Sequence, residues 1–179
     1  MEACERRRYD RAAPCQGTAR QPEEITMKIV HTHEVPWAEG LVRGAFAQRR
    51  KALGGEKLTC GLWELPPGKR SFPLHAHLVT EEAMFVLSGR AKVRTPEGLT
   101  ELGPGDYVSF PAGGPAHQLL NDGTEPLVYL GMSAVFGVDV VEYPDSDKVA
   151  SSVGAWPNAR RFMFRKADQV EYFEGEPEG

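Results

Sequence analysis

Short apolar runs separated by turn residues dominate the chain from Leu58 onward. The run LTCGLWEL is followed by SFPLHAH, AMFVLSG, AKVR, YVSF and LVYLGMSAVF, with Gly-rich or Pro-rich segments between them. Strands at this spacing, without a helical periodicity long enough for a crossover, are typical of an antiparallel sandwich or barrel. We therefore predict an all-β fold with a barrel core over about residues 58–133, inside a single domain over residues 27–179.

Short sequence patterns also predict hairpin turns, one helix and a C-terminal segment that packs on the domain. TPEG and NDG are predicted hairpin connections, because Gly98 and Gly123 can adopt positive φ. The segment 37–53, WAEGLVRGAFAQRRKAL, is the one helical candidate, although each of its two internal glycines would destabilise a helix by about 1 kcal/mol relative to Ala. The aromatic residues near the C-terminus predict that the tail packs back on the domain before it frays.

Residues 1–26 differ from the rest of the chain in composition. They contain five basic and five acidic residues and almost no aliphatic side chains, so we predict a disordered, flexible extension. Apolar content begins abruptly at Met27, which leads to the hypothesis that Met27 is the natural start. Mass spectrometry of the protein made from its native gene tests this, and a mass that includes residue 1 would refute it.

Charge and cysteine content narrow the function classes. A net charge of −4 offers no basic field for phosphates, so we expect no nucleic-acid partner. No run reaches the roughly 18 apolar residues of a membrane span, and the N-terminus lacks the apolar region of a signal peptide. Three cysteines without CxxC spacing make a disulfide framework improbable. These features predict a cytoplasmic protein that does not bind membranes.

The segment FPLHAHLVTEEAMFVLSG carries the candidate chemistry. His75 and His77 lie on one face of an extended strand, because side chains at i and i+2 point the same way. Glu82 follows near the start of the next apolar run, where we expect a hairpin to return its carboxylate to the two rings. Two imidazoles and a carboxylate suit a divalent transition metal, and His117 in GDYVSFPAGGPAHQLLN is a candidate fourth ligand. Such a set leaves positions open for a substrate oxygen.

These two segments resemble the two conserved motifs of the cupin superfamily. Gly68 to Gly89 resembles the first motif, a Gly, HxH, a Glu and a Gly, and Gly105 to Asn121 resembles the second, with a Gly, a Pro, a Gly, a His and an Asn in order. Each motif departs from the pattern by one residue in a turn. The whole chain is similar to single-domain bacterial cupins of undetermined function. The resemblance implies a double-stranded β-helix, or jelly-roll barrel, and a metal held by His75, His77, Glu82 and His117.

Several other residues in or near the two motifs, and a second HxH pair, are weaker candidates. Glu82 fits the interval to Gly89 better than Glu81, so Glu81 is interpreted as a rim carboxylate, with a role beside the metal as the rival interpretation. Asn121 is interpreted as a turn residue. A second HxH pair, His31 and His33, lacks a matching Glu or His and is predicted to lie on the surface of the first strand. The residues that either line a cavity beside the metal or fill the barrel core are Phe72, Met84, Val86, Leu119 and Tyr129.

Function is predicted only by class, because one fold of this kind serves many reactions. The leading hypothesis is a metal-dependent enzyme that acts on a small carboxylate, enediol or sugar-like molecule by dioxygenation, isomerisation, decarboxylation or lyase chemistry. The alternative is a non-catalytic module that binds or senses a small ligand. Histidine and carboxylate ligands accept Fe, Mn, Ni, Zn and Cu, so the identity of the metal stays open. The resemblance also implies a homodimer formed through edge strands.

Overall fold

A computed structural model describes residues 27–154 and 159–177 of the protein, so the predictions for residues 1–26 lie outside the described residues. The described chain is almost entirely strand and turn. Its strands are β1 (Ala38–Arg43), β2 (Phe46–Gly54), β3 (Leu58–Leu65), β4 (Ala76–His77), β5 (Glu82–Ser88), β6 (Ala91–Thr95), β7 (Gly98–Leu102), β8 (Tyr107–Phe110), β9 (Gln118–Leu120), β10 (Leu127–Ala134), β11 (Val138–Tyr143), β12 (Lys148–Val153) and β13 (Arg160–Arg165), with short 3-10 helices at Pro144–Ser146 and Lys166–Asp168. The all-β, cupin-type prediction is confirmed.

The described strands form three antiparallel sheets. The largest has the order β1-β2-β3-β10-β5-β8, a second has the order β13-β12-β11-β4, and the smallest has the order β7-β6-β9. Half of the neighbouring pairs in these sheets join strands that are not consecutive in sequence, so the chain crosses repeatedly between sheets. This crossing brings residues of the two sequence motifs to one end of the barrel.

The main core fills the space between the six-stranded and the three-stranded sheet. The inward positions of both sheets carry aliphatic and aromatic side chains, as alternation along a half-buried strand requires. Leu65 and Leu127 are fully buried at its centre. The cluster comprises Leu65, Val86, Ala91, Val93, Leu102, Phe110, Leu119, Leu127 and Tyr129.

Trp63 extends this core toward the candidate site. Its indole ring covers Gly61 and Gly131 on the paired strands β3 and β10, and a Cβ at Gly131 would lie 2.7 Å from Trp63 Nε1. Strand β10 therefore needs a residue without a side chain at this point, and the space at Gly61 is also tight, at 3.0 Å from the same atom. Trp63 stacks on Tyr129 and meets Phe72 edge-on at 5.6 Å between ring centroids. These aromatic contacts lead from the core to the end of the barrel where the histidines lie.

The prediction of a helix over residues 37–53 is wrong. The segment forms the β1–β2 hairpin, and Gly44 at the turn has φ +59°. A Cβ at Gly40 would lie 2.2 Å from the carbonyl oxygen of Gln48, so Gly40 permits the close approach of the two strands. The two glycines that weakened the helix prediction are the residues that allow the hairpin.

Two of the predicted local connections also differ in the structure. TPEG forms a hairpin between β6 and β7, as predicted. NDG does not form a hairpin, because it joins β9 to β10, which lie in different sheets. Asn121 is nonetheless a turn residue, since its Oδ1 accepts a hydrogen bond from the N–H of Gly123 and its Nδ2 donates to the carbonyls of Leu65 and Glu125. The predicted hairpin between the HxH strand and Glu82 is wrong as well, because β4 and β5 belong to different sheets.

The surface elements show two further differences. His31 and His33 are exposed as predicted, but they lie in a turn that precedes β1 rather than in a strand. The C-terminal segment packs back only as far as β13, and beyond it Tyr172 is 88% exposed and Phe173 is 76% exposed. Within residues 27–154 and 159–177, no helix has the length and apolar character needed to span a membrane.

Candidate metal centre

Two of the predicted ligands face each other across a backbone bridge. The N–H of His117 donates to the carbonyl of His75 at 2.8 Å, and the N–H of His75 donates to the carbonyl of His117 at 3.2 Å. Directly opposed residues of an antiparallel pair place their side chains close together on one face. The two ring centroids are accordingly 4.7 Å apart. This bridge joins the first motif to the second.

Glu82 arrives from the six-stranded sheet. It is the first residue of β5 and lies opposite Ser133 on β10 and Phe110 on β8. The hydroxyl of Ser133 donates to Glu82 Oε1 at 2.9 Å, which leaves Oε2 turned toward the histidines. The ring of Phe110 stacks on the ring of His117 with 3.7 Å between centroids. The six-stranded sheet therefore holds both the carboxylate of Glu82, through Ser133, and the ring of His117, through Phe110.

The four side chains converge on Glu82 Oε2. This oxygen lies 3.4 Å from His77 Nε2, 3.4 Å from His117 Nε2 and 3.8 Å from His75 Nε2. One ligand atom from each of His75, His77 and Glu82 lies within 4.8 Å of the others. We call His75, His77, Glu82 and His117 the His–Glu cluster.

Hydrogen bonds assign the tautomers of two of the rings. His75 Nδ1 lies 2.8 Å from the carbonyl oxygen of Pro73, and His77 Nδ1 is hydrogen-bonded to Asp139 Oδ2. A carbonyl and a carboxylate can only accept, so each Nδ1 carries the proton, and in the neutral form of each ring Nε2 keeps its lone pair. Both lone pairs are therefore available to a cation beside Glu82.

His117 completes the test of whether a metal fits. Both of its ring nitrogens are buried, and neither makes a hydrogen bond of good geometry within the described part of the chain, although Nε2 lies 3.4 Å from Glu82 Oε2. A buried polar atom without a partner is costly in a folded protein. Coordination of a cation by Nε2 would satisfy one of these two atoms. Three imidazoles and one carboxylate are also a donor set that divalent transition metals accept.

The electrostatics of the cluster favour a charged carboxylate on Glu82. Burial alone would raise the pKa of Glu82, but the close approach of His117, His75 and His77 outweighs burial and lowers it well below the usual range. Burial lowers the pKa of His117. Burial also opposes the charged form of His77, yet the hydrogen bond to Asp139 and the negative charges of Glu82 and Asp139 together outweigh burial and raise its pKa.

Asp139 is a functional candidate that the sequence analysis missed. It lies in β11, is 8% exposed and accepts a hydrogen bond from His77. The available signal was a single acidic residue inside the apolar run VDVV, which is unusual for a buried strand. Its partner could not be inferred, because the pairing of β11 with β4 joins residues more than 60 positions apart.

The remaining predicted residues divide between surface, core and site. The side chain of Glu81 is exposed, as the rim interpretation expects. Val86, Leu119 and Tyr129 are core residues with at most 3% exposure, and Met84 packs against them. Phe72 lies beside the cluster, since its ring meets that of His75 edge-on with 6.0 Å between centroids.

Comparison with known proteins identifies the family. A family profile described as "Cupin domain" matches residues 61–133, which contain the whole His–Glu cluster. A provisionally named sugar phosphate isomerase of Acidithiobacillus ferrooxidans is 33% identical, with a TM-score of 0.64, over 72% of this chain and 81% of that one. The chain belongs to the cupin superfamily. The family assignment made from the two motifs is thereby confirmed.

Two other solved structures extend the comparison. A cupin-superfamily sugar phosphate isomerase from Silicibacter pomeroyi is 21% identical, with a TM-score of 0.69, over 82% of this chain and 98% of that one. The polyketide cyclase RemF of Streptomyces resistomycificus is 25% identical, with a TM-score of 0.53, over 61% of this chain and 80% of that one. A search of curated proteins found no match. The fold is common to these structures, whereas their names give two activities, sugar phosphate isomerase and polyketide cyclase.

Proposed function

We propose that the protein binds one divalent transition metal through His75, His77, Glu82 and His117 and acts as a metal-dependent enzyme on a small oxygen-rich substrate. The observation that carries the proposal is the convergence of three ring nitrogens on Glu82 Oε2 within 3.8 Å. Fe, Mn, Ni, Zn and Cu all accept this donor set.

The metal, when bound, would polarise a substrate oxygen as a Lewis acid. The residues of the chain hold the ligands for that purpose. The carbonyl of Pro73 fixes the ring of His75, and the hydroxyl of Ser133 fixes the carboxylate of Glu82. Phe72 and Tyr143 flank the ring of His75 and reduce the access of water from their side. These contacts support a preformed site, which needs little rearrangement before a substrate binds.

A sugar phosphate or a related hydroxy carbonyl compound is the substrate class with the best support. The 33% identical relative from Acidithiobacillus ferrooxidans bears the name of a sugar phosphate isomerase. Isomerisation through an enediol is therefore placed ahead of dioxygenation, decarboxylation and lyase chemistry. Adjacent hydroxyl and carbonyl oxygens would also suit two open positions on the metal.

Deuterium exchange tests both the reaction class and the metal. Protein freed of metal with a chelator would be reloaded separately with Mn²⁺, Fe²⁺, Ni²⁺ and Zn²⁺ and incubated with a panel of aldose and ketose phosphates in D₂O. Isomerisation through an enediol predicts deuterium at the carbon next to the carbonyl, detected by NMR, with at least one metal. His75→Ala is the matched control and should show no exchange. Exchange that persists without metal would refute the proposal.

A non-catalytic ligand-binding or sensing role is the second candidate. Two of the rings around the cluster, those of Phe72 and Phe110, are apolar, and the carboxylate of Glu81 is exposed to solvent. Such surroundings suit a site that binds without a general base. This alternative predicts that a sugar phosphate raises the melting temperature of the metal-loaded protein while NMR detects neither exchange nor product.

We also propose a cytoplasmic homodimer in which each subunit has one domain over residues 27–179. Strands β1 and β13 are the ends of their sheets and offer unpaired backbone groups. Strand β13 also exposes Phe162, Met163 and Phe164. Light scattering during size-exclusion chromatography should give twice the mass of one chain, and charged substitutions at Phe164 and Met163 should reduce it.

A further inference from the structure

Asp139 occupies the point where strand β4 ends and the chain turns toward Glu82. The last ladder contact there is the hydrogen bond from the N–H of Leu78 to the carbonyl of Val140, at 2.8 Å. Beyond it, Asp139 Oδ1 accepts from the N–H of Val79 at 3.2 Å and from the N–H of Thr80 at 3.3 Å. The side chain thus replaces the backbone ladder in the loop that connects His77 to Glu82.

The other oxygen of the Asp139 carboxylate contacts His77, the proposed metal ligand at the end of β4. His77 pairs with Val141, and Asp139 lies two residues earlier on the same face of β11, which puts its Oδ2 beside His77 Nδ1. His77 and Asp139 are both largely removed from solvent, with 17% and 12% of their side chains exposed. One carboxylate therefore holds a ring and the adjoining backbone together.

We propose that Asp139 is a positioning residue that fixes the tautomer and orientation of His77, so that Nε2 presents its lone pair to the metal. The proposal rests on the metal site of the proposed function. It goes beyond the motifs, because Asp139 lies outside residues 61–133, the segment that matches the cupin domain profile. Carboxylates that hold a ligating imidazole in this way typically raise metal affinity about 10-fold to 100-fold.

The polarity of the hydrogen bonds makes the role testable with an isosteric change. In Asp139→Asn, the two backbone N–H groups of Val79 and Thr80 can only donate, so the amide oxygen must face them. The amide NH₂ then faces His77 Nδ1, which must accept. The proton of His77 moves to Nε2, and the lone pair that would bind the metal is lost while the shape of the site is kept.

The first measurement is the affinity for Zn²⁺, used as the probe, by competition with a chromophoric chelator. Asp139→Asn should bind Zn²⁺ about 10-fold to 100-fold more weakly than the wild type. Asp122→Asn is the matched control, because it removes the same charge from a carboxylate that contacts Lys92 rather than a histidine, and its affinity should not change. Equal affinities of Asp139→Asn and the wild type would overturn the proposal.

The second measurement does not depend on metal binding, and its decisive part uses the wild type alone. Nitrogen-15 NMR of the metal-free wild type should show His77 with its proton on Nδ1, and Asp139→Asn should show it on Nε2. A wild-type His77 protonated on Nε2 would overturn the role of Asp139 even if the variant does not fold. A wild type with the expected tautomer that fails to bind Zn²⁺ would instead contradict the proposed function and leave the pairing with Asp139 supported.

Discussion

The chain contains two HxH pairs that the structure treats differently. His75 and His77 lie at the end of a buried strand, with 10% and 17% of their side chains exposed, whereas the side chain of His33 is 79% exposed. His31 and His33 lie in a turn with ring centroids 5.8 Å apart, close to the 5.1 Å that separates the rings of His75 and His77. Spacing within the pair is therefore not what distinguishes them.

The neighbours of each pair make the difference. His75 and His77 have partners for their Nδ1 atoms, a shared carboxylate from another sheet, and a third imidazole from His117. The approach of His33 Nε2 to Glu34 Oε1, at 3.7 Å, is a contact between adjacent residues in solvent. Residues from distant strands turn one HxH pair into a candidate metal centre, and the other pair stays an ordinary surface feature.

The largest expected effect comes from removing a ligand. His75→Ala should weaken Zn²⁺ binding by more than about 100-fold, because it removes a ligand itself rather than a group that supports one. The matched variant His33→Ala should bind with unchanged affinity. Calorimetric titration of the two metal-free variants measures both constants, and a comparable loss in His33→Ala would abolish the distinction between the pairs.

The effect of Zn²⁺ on the melting temperature should also distinguish the two HxH pairs. A ligand at 100 times its dissociation constant stabilises the folded state by about 2.7 kcal/mol. For a chain of this size this corresponds to a rise of about 5 to 11 °C in melting temperature. Scanning calorimetry with and without Zn²⁺ should show this rise in the wild type and in His31→Ala, and no rise in His77→Ala.

The rings of His77, which is half-buried, and His117, which is buried, should titrate differently in the metal-free protein. Burial lowers the pKa of His117 from 6.5, and the bond to Asp139 raises that of His77. The contribution of His117 to stability is thus complete above pH 6.5 and lost as the pH falls, whereas that of His77 is present below pH 6.5 and lost as the pH rises through its higher folded value. NMR titration should find the midpoint of His117 below that of His77, and the reverse order would contradict this account.

The smallest effect is expected at the hydroxyl that holds Glu82. Ser133→Ala removes one hydrogen bond of 2.9 Å to Oε1 but no ligand. A net contribution of about 0.5–1.5 kcal/mol for such a bond corresponds to a loss of about 2-fold to 12-fold in Zn²⁺ affinity. Thr59→Ala, whose hydroxyl donates to the carbonyl of Ser133 rather than to Glu82, is the control. A loss as large as that of His75→Ala would mean that Ser133 does more than orient the carboxylate.

Prediction from the sequence succeeded where the signal was local. Gly and Pro turns marked the strands after Leu58, and the motif spacing selected the residues that the fold brings together. It failed where the outcome depended on distant partners. The apolar positions of residues 37–53 suit either a helix or a hairpin, and the close contact of Gly40 with Gln48 decides between them. Neither the crossing from β4 to β5 nor the contact between Asp139 and His77 is encoded by neighbours in sequence.

An anomalous diffraction map tests the central claim most directly. Crystals of the metal-free protein soaked in Zn²⁺ and measured on both sides of the zinc absorption edge locate every bound ion. The account predicts one strong peak about 2.0–2.2 Å from the Nε2 atoms of His75, His77 and His117 and from Glu82 Oε2. A map without a peak there, or with its strongest peak between His31 and His33, would contradict it.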